Sequence, residues 1–296
     1  MSDSFFYTLP LSSAFFYAFA TLCLKRSMEL GSGAIRAVFM CNFMLGVCFA
    51  PLMFFAEQTP GVVDIHMPLI ISLVVFLAQV LVVVAIRLGG VTVQGPLMGI
   101  KIILVATLSV LLKAGTVDPA WWFAATLSAL AIFLLGFSGL HHSKHILSGA
   151  LCAIAASGCY ALADVLNQKW APIWHYGPLN FMAIFMIGVS VLSLGLIPLF
   201  RWRLRDIPKP AWNWLVGGSL LMGLQELLFT VPIGLMGRAT VVNILYSSRG
   251  VWGIALVWFA GHWFGSQERS VGGRVLTQRL VGALLLFAAI VVVLVD

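Results

Sequence analysis

Four ionisable residues stand inside long apolar stretches of this 296-residue chain: Lys101, Asp164, Glu226 and Arg249. A charge at the centre of a bilayer-spanning helix costs at least ~2.5–3.5 kcal/mol on insertion scales, so such residues face a cavity or a partner. Lys101 ends the run Pro96-Leu97-Met98-Gly99-Ile100-Lys101, and Arg249 lies within Tyr246-Ser247-Ser248-Arg249-Gly250. Two cations in one cavity suit a carboxylate, phosphate or sulfonate, which Arg249 holds bidentately and Lys101 attracts as a point charge. The alternative is that each neutralises a carboxylate and locks two helices. Glu226 follows Gln225 and precedes Pro232 by a turn and a half. Three roles are open to it: taking up a proton, binding a substrate ammonium, or pairing with Arg249. Asp164 lies one turn before Gln168 and Lys169. It either carries a coupling proton or neighbours Lys169 near the membrane edge.

Softer signals surround these four. Gln79, Gln94, Gln225 and Asn243 either hydrogen-bond a substrate or hold helices together. Tyr17, Tyr160, Tyr246 and Trp252 either wall a cavity or pack. The substrate-binding set expected from sequence is therefore Lys101, Arg249, Glu226, Gln79, Gln225, Tyr246, Asn243, Tyr17, Tyr160 and Trp252. Glu226 and Asp164 are the proton-coupling candidates. Cys23, Cys41, Cys48, Cys152 and Cys159 sit in apolar stretches with no C-x-x-C spacing, and read as buried thiols. His141, His142 and His145 read as a solvated loop, and no metal site is expected. There is no P-loop, G-x-S-x-G, H-E-x-x-H or GxGxxG. Neither an enzyme nor a cofactor is expected.

The elements that must position these residues follow from composition. Hydrophobic residues make up 61% of the chain and charged residues 9%, with a mean hydropathy of +1.04. A soluble domain carries roughly 25% charged residues, so soluble enzymes, disordered proteins and secreted disulfide scaffolds are excluded. The apolar segments run roughly Leu9–Leu24, Ala37–Phe55, Pro68–Leu88, Val91–Leu112, Ala120–Leu140, Ser148–Lys169, Phe181–Phe200, Trp212–Met236, Thr240–Phe264 and Leu276–Val295. Each approaches the roughly 20 residues needed to span a bilayer. Their unbroken apolarity argues for helices, because a membrane barrel alternates over about ten residues. The first lacks a basic leader and cleavage site, so it reads as a retained helix and not a signal peptide. Trp121, Trp122, Trp202, Trp212, Trp214 and Trp263 fall near segment ends, as interfacial anchors do. The predicted fold is an all-α integral membrane protein with ten transmembrane helices.

The connections are unevenly charged. On the side where the first segment begins, side A, lie Lys113, Lys169 and Arg238. On side B lie Lys25, Arg26, Arg36, Arg87, Lys144, Arg201, Arg203, Arg205, Lys209, Arg269, Arg274 and Arg279. The positive-inside rule puts side B in the cytoplasm and both termini outside it. Lys25 and Arg36 lie close enough to helix ends to face a cavity instead. The net charge of +7 is thus topology, and no nucleic-acid partner is implied.

The chain also repeats itself. Phe16-Tyr17-Ala18-Phe19-Ala20-Thr21 before Lys25-Arg26 matches Cys159-Tyr160-Ala161-Leu162-Ala163-Asp164 before Gln168-Lys169. Phe43-Met44-Leu45-Gly46-Val47 matches Phe185-Met186-Ile187-Gly188-Val189, Gln79 matches Gln225, and Lys101 matches Arg249. The halves run 1–144 and 145–296, each with five spans. An odd number of spans inverts the second half relative to the first, the architecture of secondary transporters with a midplane site.

Ten helices in five-plus-five halves, a lysine ending the first and Ala34-Ile35-Arg36-Ala37 opening the second, resemble the drug/metabolite transporter (DMT) superfamily, EamA-like branch. The resemblance implies a basket of ten helices with helices 3, 4, 8 and 9 lining a central cavity. It implies exporters of amino acids, other metabolites or drugs, or exchangers of nucleotide sugars and organic phosphates. Small multidrug members use an acidic residue in their first helix, and Asp164 lies in the first helix of the second half. The family usually keeps both termini in the cytoplasm, opposite to the charge count. The expected function is a secondary active transporter, an exporter of a small polar anionic or zwitterionic metabolite, in a bacterial inner membrane. The other readings are a flippase for a lipid-linked sugar or head group and a non-transporting assembly or receptor subunit. The expected partners are a small-molecule substrate and the lipid bilayer, with a homodimer allowed.

Overall fold

The computed structural model describes residues 3–55, 60–61, 64–136, 145–201, 203–260 and 273–295. The described residues form helices and connecting turns, with no strand. The helices are α1 (Asp3–Glu29), α2 (Ala34–Phe49), α3 (His66–Gly89), α4 (Val91–Leu97), α5 (Ile100–Leu111) and α6 (Pro119–Gly136), then α7 (Ile146–Trp170), α8 (Pro178–Leu192), α9 (Lys209–Met236), α10 (Ala239–Tyr246), α11 (Arg249–Ala260) and α12 (Gly273–Val295). A tightened 3₁₀ stretch extends α2 over Ala50–Phe55 and another extends α8 over Ser193–Leu199. Each of the ten apolar segments thus contains helix. Trp202, Trp263, His141, His142, Lys144 and Arg269 lie outside the described residues.

Among the described residues, eight helical stretches are long and apolar enough to cross a membrane, α4–α5 and α10–α11 each counting as one. Pro119–Leu135 and Leu280–Val295 are shorter apolar helices. A helix satisfies its own backbone within one segment, which is why apolar runs of this length take that form without water. Large apolar side chains are exposed around the outside, among them Leu73 and Leu77 on α3, Phe123 on α6, Leu151 on α7 and Phe287 on α12. Such an exterior suits lipid and marks a multi-pass membrane protein.

Lipid gives apolar faces no reason to associate, so small and hydroxyl-bearing residues make the contacts between helices. α1 packs along α9, α3 along α7, α2 against α8 and α9, and α6 against α12. Gly149 of α7 lies against Gly89 of α3, where an added Cβ would meet the Gly89 nitrogen at 2.6 Å. Gly223 of α9 faces the Met44 carbonyl oxygen of α2 at 2.8 Å from such a Cβ. Ser13 and Ser27 of α1 donate to the Gln225 and Ala211 carbonyls of α9, at 2.7 and 2.9 Å. Ser72 of α3 donates to the Phe185 carbonyl of α8 at 2.8 Å.

Two helices open on glycines in the same backbone conformation. Gly33 before α2 has φ 78 and ψ 143, and Gly177 before α8 has φ 87 and ψ 148. Side chains with a Cβ rarely take that conformation. Arg36 does not face a cavity. It is buried and donates to the carbonyls of Gly31 (2.8 Å) and Arg203 (3.2 Å), pinning two side-B loops.

Candidate functional site

The site is built where two helical spans are interrupted. α4 stops at Leu97 and α5 starts at Ile100. Pro96 has no N–H to give, and the backbone closes the gap with three-residue bonds, Gly99 N–H to Pro96 O at 3.1 Å and Lys101 N–H to Met98 O at 3.2 Å. The Leu97 carbonyl accepts from the Ser157 hydroxyl of α7 at 3.3 Å. The second interruption separates α10 from α11 at Ser247-Ser248, with Ser248 N–H to Leu245 O and Gly250 N–H to Ser247 O, both at 3.2 Å. Tightened turns inside helices often mark hinges. Lys101 and Arg249 each sit in the first turn after an interruption. Pro232 likewise lacks an N–H, yet α9 runs unbroken through it.

A cavity of about 840 Å³ is lined by residues of α1 through α11. That is within the roughly 300–1,000 Å³ of small-molecule sites. Its inner wall carries Tyr17, Gln79, Lys101, Tyr160, Asp164, Gln225, Glu226, Phe229, Tyr246 and Arg249. Toward side B its wall continues through Leu22, Lys25, Val82, Gln94, Leu135, Ile254, Val257 and Trp258. Lys25 thus faces the cavity and Arg36 does not.

Lys101 is paired. Its Nζ lies 2.8 Å from Asp164 Oδ2, and both side chains are only 12% exposed. Asn243 of α10 donates to the same oxygen at 2.8 Å. The ammonium also lies 4.8 Å from the Phe229 ring centre and 5.7 Å from that of Tyr160, within cation–π range. The expected neighbourhood of Asp164 and Lys169 does not form. Lys169 turns away and donates to the Leu112 carbonyl at 2.8 Å.

Arg249 is held by aromatic faces. Its guanidinium carbon lies 4.7 Å from the Tyr17 ring centre and 4.6 Å from that of Tyr246. One nitrogen donates to the Tyr246 hydroxyl at 3.2 Å. That hydroxyl donates onward to Gln225 Oε1 at 3.0 Å, and Gln225 Nε2 donates to Glu226 Oε2 at 2.8 Å. Thr230 donates to the other Glu226 oxygen at 3.3 Å. Arg249 and Glu226 are therefore joined through two neutral side chains and do not touch. Among the described residues neither has an opposite charge within 4.0 Å.

The expected residues gather here with one exception. Gln79 lines the cavity and exchanges bonds of 2.7 and 3.0 Å with Asn42 of α2. Asn243 reaches the site through Asp164. Trp252 does not line the cavity. It is 40% exposed on the outside of α11, edge-on to Phe15 at 5.2 Å. Asn42, Thr230, Asn167 and Phe229 were not singled out from sequence. The first three are polar residues inside apolar spans, a signal that was present, whereas nothing distinguishes Phe229 from packing aromatics.

Hydrogen bonds join the loops at side A. Gln168 at the end of α7 donates to the Ala114 carbonyl (3.0 Å) and accepts from the Ala239 N–H (2.8 Å), bridging two loops. Lys169 holds Leu112, and Asn167 donates to the Thr230 carbonyl at 3.2 Å. Arg238 donates to the Tyr7 hydroxyl at 3.0 Å. Tyr176 donates to Asp64 at 2.8 Å, and this bond holds the phenol above its ordinary range. No group of His, Cys, Asp or Glu suited to a metal ion occurs among the described residues.

No protein-family profile and no curated protein matches the chain. Solved structures do match it. One protein of known crystal structure superposes with a TM-score of 0.78 at 17% identity, covering 99% of this chain and 99% of its own. At that identity the likeness concerns the fold alone.

Proposed function

We propose that this chain is a secondary active transporter that exports a small polar anionic or zwitterionic metabolite by alternating access. The observation that carries the reading is the cavity. It is walled by charge at mid-depth, it runs toward side B, and side A is closed by hydrogen bonds between loops. Arg249 and Glu226 inside it lack opposite charges among the described residues, which fits a ligand bearing an anionic group and, for a zwitterion, an ammonium. An assembly subunit would have its charges mutually paired and a filled interior, so the cavity favours transport. Interrupted helices at a midplane site are a recurring transporter device.

We further read the ten helices as two inverted repeats, 1–144 and 145–296, in the manner of the DMT superfamily and its EamA-like branch. Exchanging the halves carries the α1–α9 packing onto α7–α3, and leaves α2–α8 and α6–α12 as self-matching contacts. It carries Gly33 onto Gly177 and one helix interruption onto the other. The setting fitting this reading is a bacterial inner membrane.

A thermal-shift screen against amino acids, organic phosphates and sulfonates tests the proposal, since a ligand of the native state raises its apparent stability. At least one class should raise the melting temperature of the wild-type protein. Arg249→Ala should abolish that rise while the protein stays folded. An equal rise in Arg249→Ala would remove Arg249 from the site.

A further inference from the structure

Lys101 and Arg249 occupy matching places in the cavity but have different partners. Lys101 lies over Tyr160 and is neutralised by Asp164, one turn further along α7. Arg249 lies over Tyr17, and one turn further along α1 stands Thr21. Tyr17 and Tyr160 are 143 residues apart, and so are Thr21 and Asp164. The correspondence is therefore held by two contacts and one register, not by position alone. Thr21 lines the cavity, and its hydroxyl gives its proton to the Ala18 carbonyl of its own helix at 2.8 Å. Where the first cation has a built-in carboxylate, the second has a neutral side chain turned back on its helix.

A guanidinium has five N–H donors. Arg249 uses one on Tyr246, and its two rings leave the edge of the fork without an acid among the described residues. A buried cation without an anion is expensive, and the cost is recovered when a carboxylate-like group docks. We propose that the anionic group of the ligand occupies the place beside Thr21, on Arg249, that Asp164 occupies on Lys101. The ligand's carboxylate or sulfonate thus completes a second ion pair that the chain itself leaves half-built. Tyr17 and Tyr246 lie against the guanidinium that would hold that anion, so an anion carried directly on an aryl ring can extend their packing. This inference rests on the transporter reading only in placing the site within an inverted repeat.

The test is a substitution that supplies the missing group. Thr21→Asp puts a carboxylate at the position that matches Asp164, and Thr21→Asn has similar size without charge. Binding of benzoate and benzenesulfonate to purified protein is measured by calorimetry, with uncharged benzamide as control. Thr21→Asp should weaken both aryl anions by about tenfold or more, a difference of about 1.4 kcal/mol. Thr21→Asn should change them by less than about threefold. Unchanged affinity in Thr21→Asp, or wild-type protein that binds neither anion, overturns the inference. Should Thr21→Asp fail to fold, Arg249→Gln carries the test. It removes the cation without stranding an opposite charge, and both aryl anions should weaken by about tenfold or more; unchanged affinity overturns the inference. Binding that depends on position 21 in a protein that transports none of a panel of metabolites would sink the transporter reading and keep this site. Arg249-dependent transport that survives Thr21→Asp would do the reverse.

Discussion

At the scale of single residues, the Lys101–Asp164 pair makes the sharpest stability prediction. Removing one member leaves the other charge buried and uncompensated, which costs about 3–5 kcal/mol, whereas removing both is far milder. Asp164→Ala should therefore lower the melting temperature steeply, and Lys101→Ala/Asp164→Ala should recover most of the loss. A double variant as unstable as the single one would show that the pair is not what holds α5 to α7. All four intramembrane ionisable residues were legible as a site, because an apolar background makes each charge conspicuous. Their pairings were not. A helix that is apolar on all sides carries no periodicity from which to read the direction of a side chain. Glu226 accordingly bonds Gln225 and Thr230 and not Arg249, and Asp164 finds Lys101 across the cavity and not Lys169 on its own helix. For the same reason Trp252, a neighbour of Arg249 in sequence, lies on the outer face of α11.

At the scale of elements, two contacts decide how the helices meet. Gly149 and Gly89 allow the backbones of α7 and α3 to touch. A side chain at 149 must push them apart, and overpacking of this kind costs about 1–3 kcal/mol. Gly149→Val should lower the thermal midpoint while Gly158→Ala, where an added Cβ meets nothing within 4 Å, should not. The other contact is Gln168, which joins the α5–α6 and α9–α10 loops at side A. Gln168→Ala should loosen that closure. A cysteine at Thr230, near the deep end of the cavity, should then react faster with a membrane-impermeant thiol reagent added from side A. Equal rates with and without Gln168 would mean that other contacts keep side A closed. Pro96 announced the interruption between α4 and α5, but no residue type announced its counterpart at Ser247-Ser248. Serines are ordinary in helices that cross membranes, so that interruption is set by tertiary packing.

At the scale of the whole molecule, segment number and order were legible because apolar length is a strong signal. Among the described residues, eight of the ten segments are long and apolar enough to cross a membrane. Orientation rests on charge alone. Twelve basic residues on side B against three on side A predict a cytoplasmic side B, so a reporter fused after Asp296 should be active only on the non-cytoplasmic face. Cytoplasmic activity would instead agree with the usual arrangement of the family the chain resembles, and would leave the side-B charges to other partners. On the transporter proposal, the joined side-A loops and the side-B cavity are one state of a two-state cycle, and transport would need the other.

The central claim is therefore tested most directly by counterflow in proteoliposomes preloaded with each compound of a panel of amino acids, organic phosphates and sulfonates. At least one labelled compound should accumulate transiently and saturably with wild-type protein and not with Arg249→Ala. No accumulation of any compound by folded, inserted protein, or accumulation untouched by Arg249→Ala, would contradict the account.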